Sequence, residues 1–180
     1  TPLTVIMNSA TAKAPDLAET VIREAATMRR QVDHHLARAR AVGRRGHSHS
    51  RALVWESLES VERAVGRLYP DVRLDMAGDK ALSVHVERQD LDEMFGNLVE
   101  NAAKYGGGSV FVTVQPNGNF AEILVEDDGN GIPAEERERI FDRGVRLDTG
   151  KPGTGLGLAI VRDVAEIYGG SVHMDESEDM

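Results

Sequence analysis

Residues 97–105 read NLVENAAKY, and three glycines, Gly106 to Gly108, follow at once. Asp90 stands where a helix N-cap would. The apolar spacing after it predicts a helix through Tyr105, stopped by the glycines. Asn97 and Asn101 are then four apart and share one helix face, with Lys104 about a turn further on. Two adjacent carboxamides offer neutral oxygens to a hard cation such as Mg²⁺, which takes few protein ligands and completes its shell with substrate phosphates. Lys104 can meet a phosphate as a point charge. Taken alone, a solvated polar helix face explains the same residues.

Downstream, Val110–Val114 and Glu122–Glu126 alternate as strands. They are joined through Pro116-Asn117-Gly118-Asn119, a hairpin signal. Directly after the second strand comes DDGNGIP, residues 127–133. The Asp127 carboxylate can accept from an exocyclic amine, and Gly129 and Gly131 let a ligand approach the backbone. An Asp-Gly turn is the plainer reading. Residues 129–153 form a long loop rich in glycine, proline and charge, with one short helical turn at Ala134–Phe141. Loops of that length inside a compact domain are usually functional. The loop ends in KPGTGLGL, residues 151–158, which opens a helix running from Leu156 to Tyr168. Glycines at 153, 155 and 157 followed by a helix N-terminus present backbone N–H groups to phosphate. No Gly-Lys-Ser/Thr follows, so this is not a Walker loop. The glycine spacing and the loop before it also exclude the dinucleotide fingerprint. Gly169-Gly170 close the helix, and Ser171–Met174 begin another strand.

Upstream, Leu53–Leu68 reads as a helix, and Val72–Met76 and Leu82–Val86 as short strands. GRRGHSHS, residues 43–50, breaks the hydrophobic periodicity and reads as a linker. Before it, Val21, Ala25, Met28, Val32, His35, Ala39 and Val42 alternate by four and three, a heptad seam. Leu3, Ile6 and Ala10 mark a shorter amphipathic piece. Two such helices cannot bury a seam alone. A hairpin that pairs with a copy of itself into a four-helix bundle is one solution; packing on the following domain is the other. The division is therefore 1–46 helical hairpin, 47–50 linker and 51–180 mixed α/β domain, an α+β chain overall.

Composition narrows the function. The 180 residues include no cysteine, which excludes disulfides, thiolate zinc sites and cysteine nucleophiles. No apolar run reaches the roughly 18 residues that a spanning helix needs. Residues 1–46 carry eight Lys/Arg against four Asp/Glu, a net of +4, and residues 47–180 carry thirteen against twenty-six, a net of −13. A domain so acidic repels a nucleic-acid backbone and anionic membranes. An anionic ligand binds only where local cations or a metal reverse that field.

The motifs in this order resemble the ATP-binding domain of bacterial sensor histidine kinases, a branch of the GHKL superfamily that also holds gyrase. NLVENAAKY resembles the asparagine box, DDGNGIP the first glycine box, IFDRGVR (140–146) the phenylalanine box and GTGLGLAIV the second glycine box. FDRGVRLDTGKPGTGLGLA is similar to PhoQ-type kinases, and Thr1-Pro2-Leu3 resembles the tail of a phosphoacceptor box. The resemblance implies a two-layer α/β sandwich of the Bergerat type behind a dimerisation hairpin. It implies ATP and Mg²⁺ as ligands, with Asn101 the main metal ligand and Asn97 beside it. Asp127 would read the adenine amine with Gly131's help, and Tyr105 and Ile132 would flank the base. Lys104, Arg146 and Lys151 would reach the phosphates. Gly129, Gly153, Thr154, Gly155 and Gly157 would shape the pocket and lid hinge, with Leu156 and Leu158 packing behind. The lid, about 132–152, would be mobile until nucleotide orders it.

The family's phosphoacceptor histidine would lie four residues upstream of Thr1, outside this chain, with Thr1 in a phosphatase role. His34, His35, His47, His49, His85 and His173 do not occupy that context. The resemblance further implies a homodimer through residues 1–46, a response-regulator receiver domain as partner and no nucleic acid. The segment would be cytoplasmic, in a parent anchored to the membrane elsewhere, and the sheet would lack its last strand. An ATP hydrolase of the gyrase kind would need a glutamate four residues before Asn101, where Asn97 stands. An anti-sigma-type serine kinase would not need the hairpin.

Overall fold

The computed structural model describes residues 2–11, 17–18, 20–22, 24–25, 28, 32, 50–142, 144–147 and 155–177. The chain divides into two compact units, Thr1–Gly43 and Arg44–Met180. In the first, α1 spans Pro2–Thr11, and the described residues between 17 and 32 are helical. Leu3, Met7, Ile22 and Val32 are exposed apolar side chains. The turn that would make a hairpin, and His34 to His49, lie outside the described residues.

The second unit is two layers. β1 (Ala52–Leu53) leads into α2 (Val54–Leu68). β2 (Arg73–Gly78), β3 (Ser83–Val84), α3 (Arg88–Tyr105), β4 (Ser109–Asn117), β5 (Phe120–Asp127) and α4 (Gly157–Ile167) follow. β1 pairs antiparallel with β3. The main sheet runs β2-β4-β5, parallel then antiparallel. On β4, Val110, Val112 and Val114 alternate inward and are at most 2% exposed. They meet Leu58, Val61 and Val65 of α2 and Phe95 and Val99 of α3 in one cluster. Burying each such side chain contributes about 1.5–3 kcal/mol. The three-to-four spacing of apolar residues on both helices is thus matched to the two-residue period of β4. α4 packs on α3.

Several expectations need correction. α3 begins at Arg88, two residues before Asp90, and Glu87 holds its N-cap position without a side-chain cap. Asp90 lies inside the first turn and is 1% exposed. The helix N-terminus favours its charge, and the Tyr168 hydroxyl donates to Asp90 Oδ2 at 2.5 Å. Burial and that carboxylate push the Tyr168 hydroxyl up to about 12. The strands of the hairpin run longer than expected, because Asn117 still pairs with Phe120 and the turn shrinks to Gly118-Asn119. Pro116 sits in β4 beyond the last β2 pair, Gly78 with Val114, where no ladder bond is lost. The expected helical turn at 134–141 is two separate 3-10 turns, Ala134–Glu136 and Arg139–Phe141. Residues 171–177 form no strand, and the Ser177 hydroxyl donates to Glu126 of β5. Alternating sequence alone makes no strand without a backbone ladder to join.

Candidate functional site

The C-terminal end of α3 meets the end of β5, and backbone packs on backbone there. A Cβ on Gly106 would lie 2.6 Å from the Ala102 carbonyl oxygen and 2.9 Å from Asp127 Cβ. One on Gly129 would lie 2.9 Å from the Tyr105 carbonyl oxygen and 2.7 Å from Asp127 Oδ1. Glycine is required at both places because nothing larger fits between main chains. Asp127 lies opposite Val110 in the β4–β5 register. Its Oδ1 accepts from the Gly129 N–H at 3.0 Å. Tyr105 and Ile132 are both half-buried. The Lys104 ammonium lies 5.1 Å from the centre of the Tyr105 ring, a cation–π contact.

About two turns earlier on α3, the Asn97 amide nitrogen donates to the Glu93 carbonyl at 2.8 Å. That bond turns Asn97 Oδ1 toward the start of α4, where a Cβ on Gly157 would come within 2.9 Å of it. Leu156, at the N-cap of α4, gives it no side-chain cap, and a helix start of this kind suits an anion. Asn101 is half-buried, one turn from Asn97. Its side chain makes no hydrogen bond to another described residue. An amide oxygen facing that helix start, with a second amide one turn further along α3, is a donor set that suits a hard divalent cation. Among the described residues no cluster of three or more histidine or carboxylate side chains could hold a metal instead.

The intervening loop is pinned at intervals. Arg137 Nε donates to the Ile132 carbonyl at 2.9 Å, and its Nη2 lies 3.2 Å from Glu176. Phe141 is 5% exposed. Arg162 of α4 places both terminal nitrogens 3.1 Å from Asp142 Oδ1. Further on, the Gly144 N–H donates to the Gly155 carbonyl at 3.0 Å and closes a neck. Gly155 takes a φ of 67°, which suits glycine. Arg146 is exposed beside this neck. Leu158 is buried and Leu156 half-buried. Lys151, Gly153, Thr154 and Thr1 lie outside the described residues.

Sequence reading missed one residue here. Asp128 Oδ1 accepts from the Gly107 and Ser109 N–H groups, both at 2.8 Å. These bonds, the one from Ser109 foremost, hold the Asp128 carboxyl below the usual carboxylate range.

An aspartate seated where the end of β5 meets the end of α3, and an asparagine amide facing the start of α4, are the features to set beside known proteins. Residues 86–180 match the family of histidine kinase-, DNA gyrase B-, and HSP90-like ATPases. The chain belongs to that family. The two-component sensor PhoQ of Pseudomonas aeruginosa is 39% identical over 84% of this chain and 34% of its own length. The sensor protein PhoQ of Escherichia coli is 33% identical over 98% of this chain and 38% of its own. The chain thus spans little more than a third of these relatives. The mycobacterial sensor histidine kinase MprB superposes with a TM-score of 0.62 at 30% identity, covering 71% of this chain and 85% of that one. No helix among the described residues is long and apolar enough to cross a membrane.

Proposed function

We propose that this chain is the ATP-binding part of a sensor histidine kinase. The observation that carries the reading is the meeting of Asn97 Oδ1 with the uncapped start of α4, on the same helix, α3, whose C-terminal end meets Asp127 through Gly106. Asp127 accepts from the adenine amine, and Tyr105 and Ile132 flank the base. The N–H groups at the start of α4, with Lys104, Arg146 and Lys151, receive the phosphates. Asn101 and Asn97 would hold Mg²⁺, which when bound would supply charge neutralisation on the phosphate oxygens. The reacting imidazole is that of a phosphoacceptor histidine on a dimerisation helix. Its nitrogen bonds to the γ-phosphorus as the bond to the β-phosphate oxygen breaks. ADP leaves and the imidazole proton passes to a base. The phosphoryl group then moves to an aspartate of a response regulator. Residues 1–46 pair with a second copy, which would cover the exposed Leu3, Met7, Ile22 and Val32. The segment works in the cytoplasm, in a parent anchored elsewhere. Asn97, standing where a hydrolase needs a base, favours transfer over hydrolysis.

Titration calorimetry of the full chain with a non-hydrolysable ATP analogue tests this. Asn101→Ala should weaken binding on the order of tenfold or more with Mg²⁺ present and little without it. Equal losses in both conditions would remove Asn101 from the metal site. Asp127→Asn should erode the preference for ATP over GTP, because a donor replaces the needed acceptor. An unchanged preference would rule out Asp127 as the base reader.

A further inference from the structure

We infer that Asp128 is a positioning residue for nucleotide recognition, one that staples the triglycine turn after α3 to the end of β5 and so holds Asp127 in its base-reading place. The inference rests on the nucleotide-binding reading above.

The two neighbouring aspartates do different work. Asp127 bonds its own turn, two residues on, at Gly129. Asp128 reaches across to residues 21 and 19 positions earlier in the chain, Gly107 and Ser109. Its backbone N–H also donates to the Ser109 carbonyl at 3.4 Å. The turn is seated on both residues. A Cβ on Gly106 would lie 2.9 Å from Asp127 Cβ, and one on Gly107 would lie 2.6 Å from the Asp128 carbonyl oxygen. Asp127 is therefore bounded on one side by Gly106 and on the other by Gly129. Gly106 can hold that boundary only while the turn is anchored. The anchor is one ionised oxygen taking two N–H groups, the stronger kind of hydrogen bond. Asp128 itself is exposed. It buries no apolar surface, and water can replace its bonds, so its loss should alter geometry more than stability.

The test compares Asp128→Ala, Asp128→Asn and Asp127→Ala in the full chain, against the ATP analogue and against inorganic tripolyphosphate, both with Mg²⁺. Asp128→Ala should weaken the ATP analogue about tenfold and narrow the ATP-over-GTP preference. It should leave tripolyphosphate affinity and the melting temperature close to wild type. Asp128→Asn keeps an acceptor oxygen and should restore most of the loss. Gly107→Ala, which crowds the staple with the carboxylate intact, should mimic Asp128→Ala. Wild-type binding by Asp128→Ala would overturn the inference. So would equal losses for the analogue and tripolyphosphate, or no rescue by asparagine. Absence of nucleotide binding by the wild-type chain would instead remove the reading on which the inference rests.

Discussion

At the β5 end of the candidate site, main chain meets main chain: Gly106 lies on Asp127, Gly129 on the Tyr105 carbonyl, and Asp128 ties Gly107 and Ser109. At the α4 end, one glycine, Gly157, meets the tip of one side chain, Asn97. Backbone can yield only by moving whole elements, whereas a side-chain tip can rotate. The β5 end, proposed to take the base, is thus set by the fold itself, and the α4 end, proposed to take the phosphates, by groups able to adjust. A ligand that alters the balance between conformations must make different contacts in each; those differences belong at the α4 end.

Substitutions of glycine offer the sharpest way to break this contrast. Gly106→Ala forces a methyl group against two backbone-fixed neighbours. It should destabilise the domain by about 1–3 kcal/mol, as overpacking does, and reduce ATP affinity on the order of a hundredfold. Thermal melts read the first and calorimetry the second. An alanine that binds ATP normally would mean the base end is as adjustable as the other.

A second measurement separates attachment of α4 from its role at the site. Tyr168→Phe removes the hydroxyl that Asp90 accepts. Hydrogen bonds to charged groups contribute about 1.5–3 kcal/mol, so urea unfolding should show a loss of that order with ATP affinity nearly unchanged. The fold raises the Tyr168 pKa, so its contribution is complete below the ordinary tyrosine value near ~10. That contribution disappears as pH climbs through about 12. The phenylalanine variant should lack this part of the alkaline decline.

The smallest effect is expected at Gly157→Ala. The added methyl meets only the Asn97 side chain, at 2.9 Å from Oδ1, which can swing aside at the cost of its bond to the Glu93 carbonyl. ATP–Mg²⁺ affinity should fall about three- to tenfold, with adenine preference intact. A change in base preference there would show that the two ends are coupled.

Much of the layout was legible because it is local. The spacing of Val54, Leu58, Val61 and Val65 fixed α2, and the alternation of Val110, Val112 and Val114 fixed β4. The amide pair at 97 and 101 announced itself by helical period. What escaped depends on partners distant in sequence. Asp90 fits the pattern of a cap, yet its partner is Tyr168, and only tertiary packing turns it inward. Asp128 looks like the aspartate of an Asp-Gly turn, and nothing near it in sequence points to Gly107 or Ser109. Ser171–Met174 has the alternation of a strand but no backbone ladder to complete it.

The Tyr168–Asp90 bond joins residues 78 apart in the chain, and the Asn97–Gly157 contact spans most of the same loop. Closing so long a loop carries an entropic cost that later contacts must offset, and such non-local contacts slow folding. α2, α3 and the β4–β5 hairpin can assemble beforehand from nearer neighbours. Topology therefore predicts that the docking of α4 on α3 is the final step in assembling the candidate site. Nucleotide added during refolding should report that final docking, and would select molecules in which the whole domain has closed.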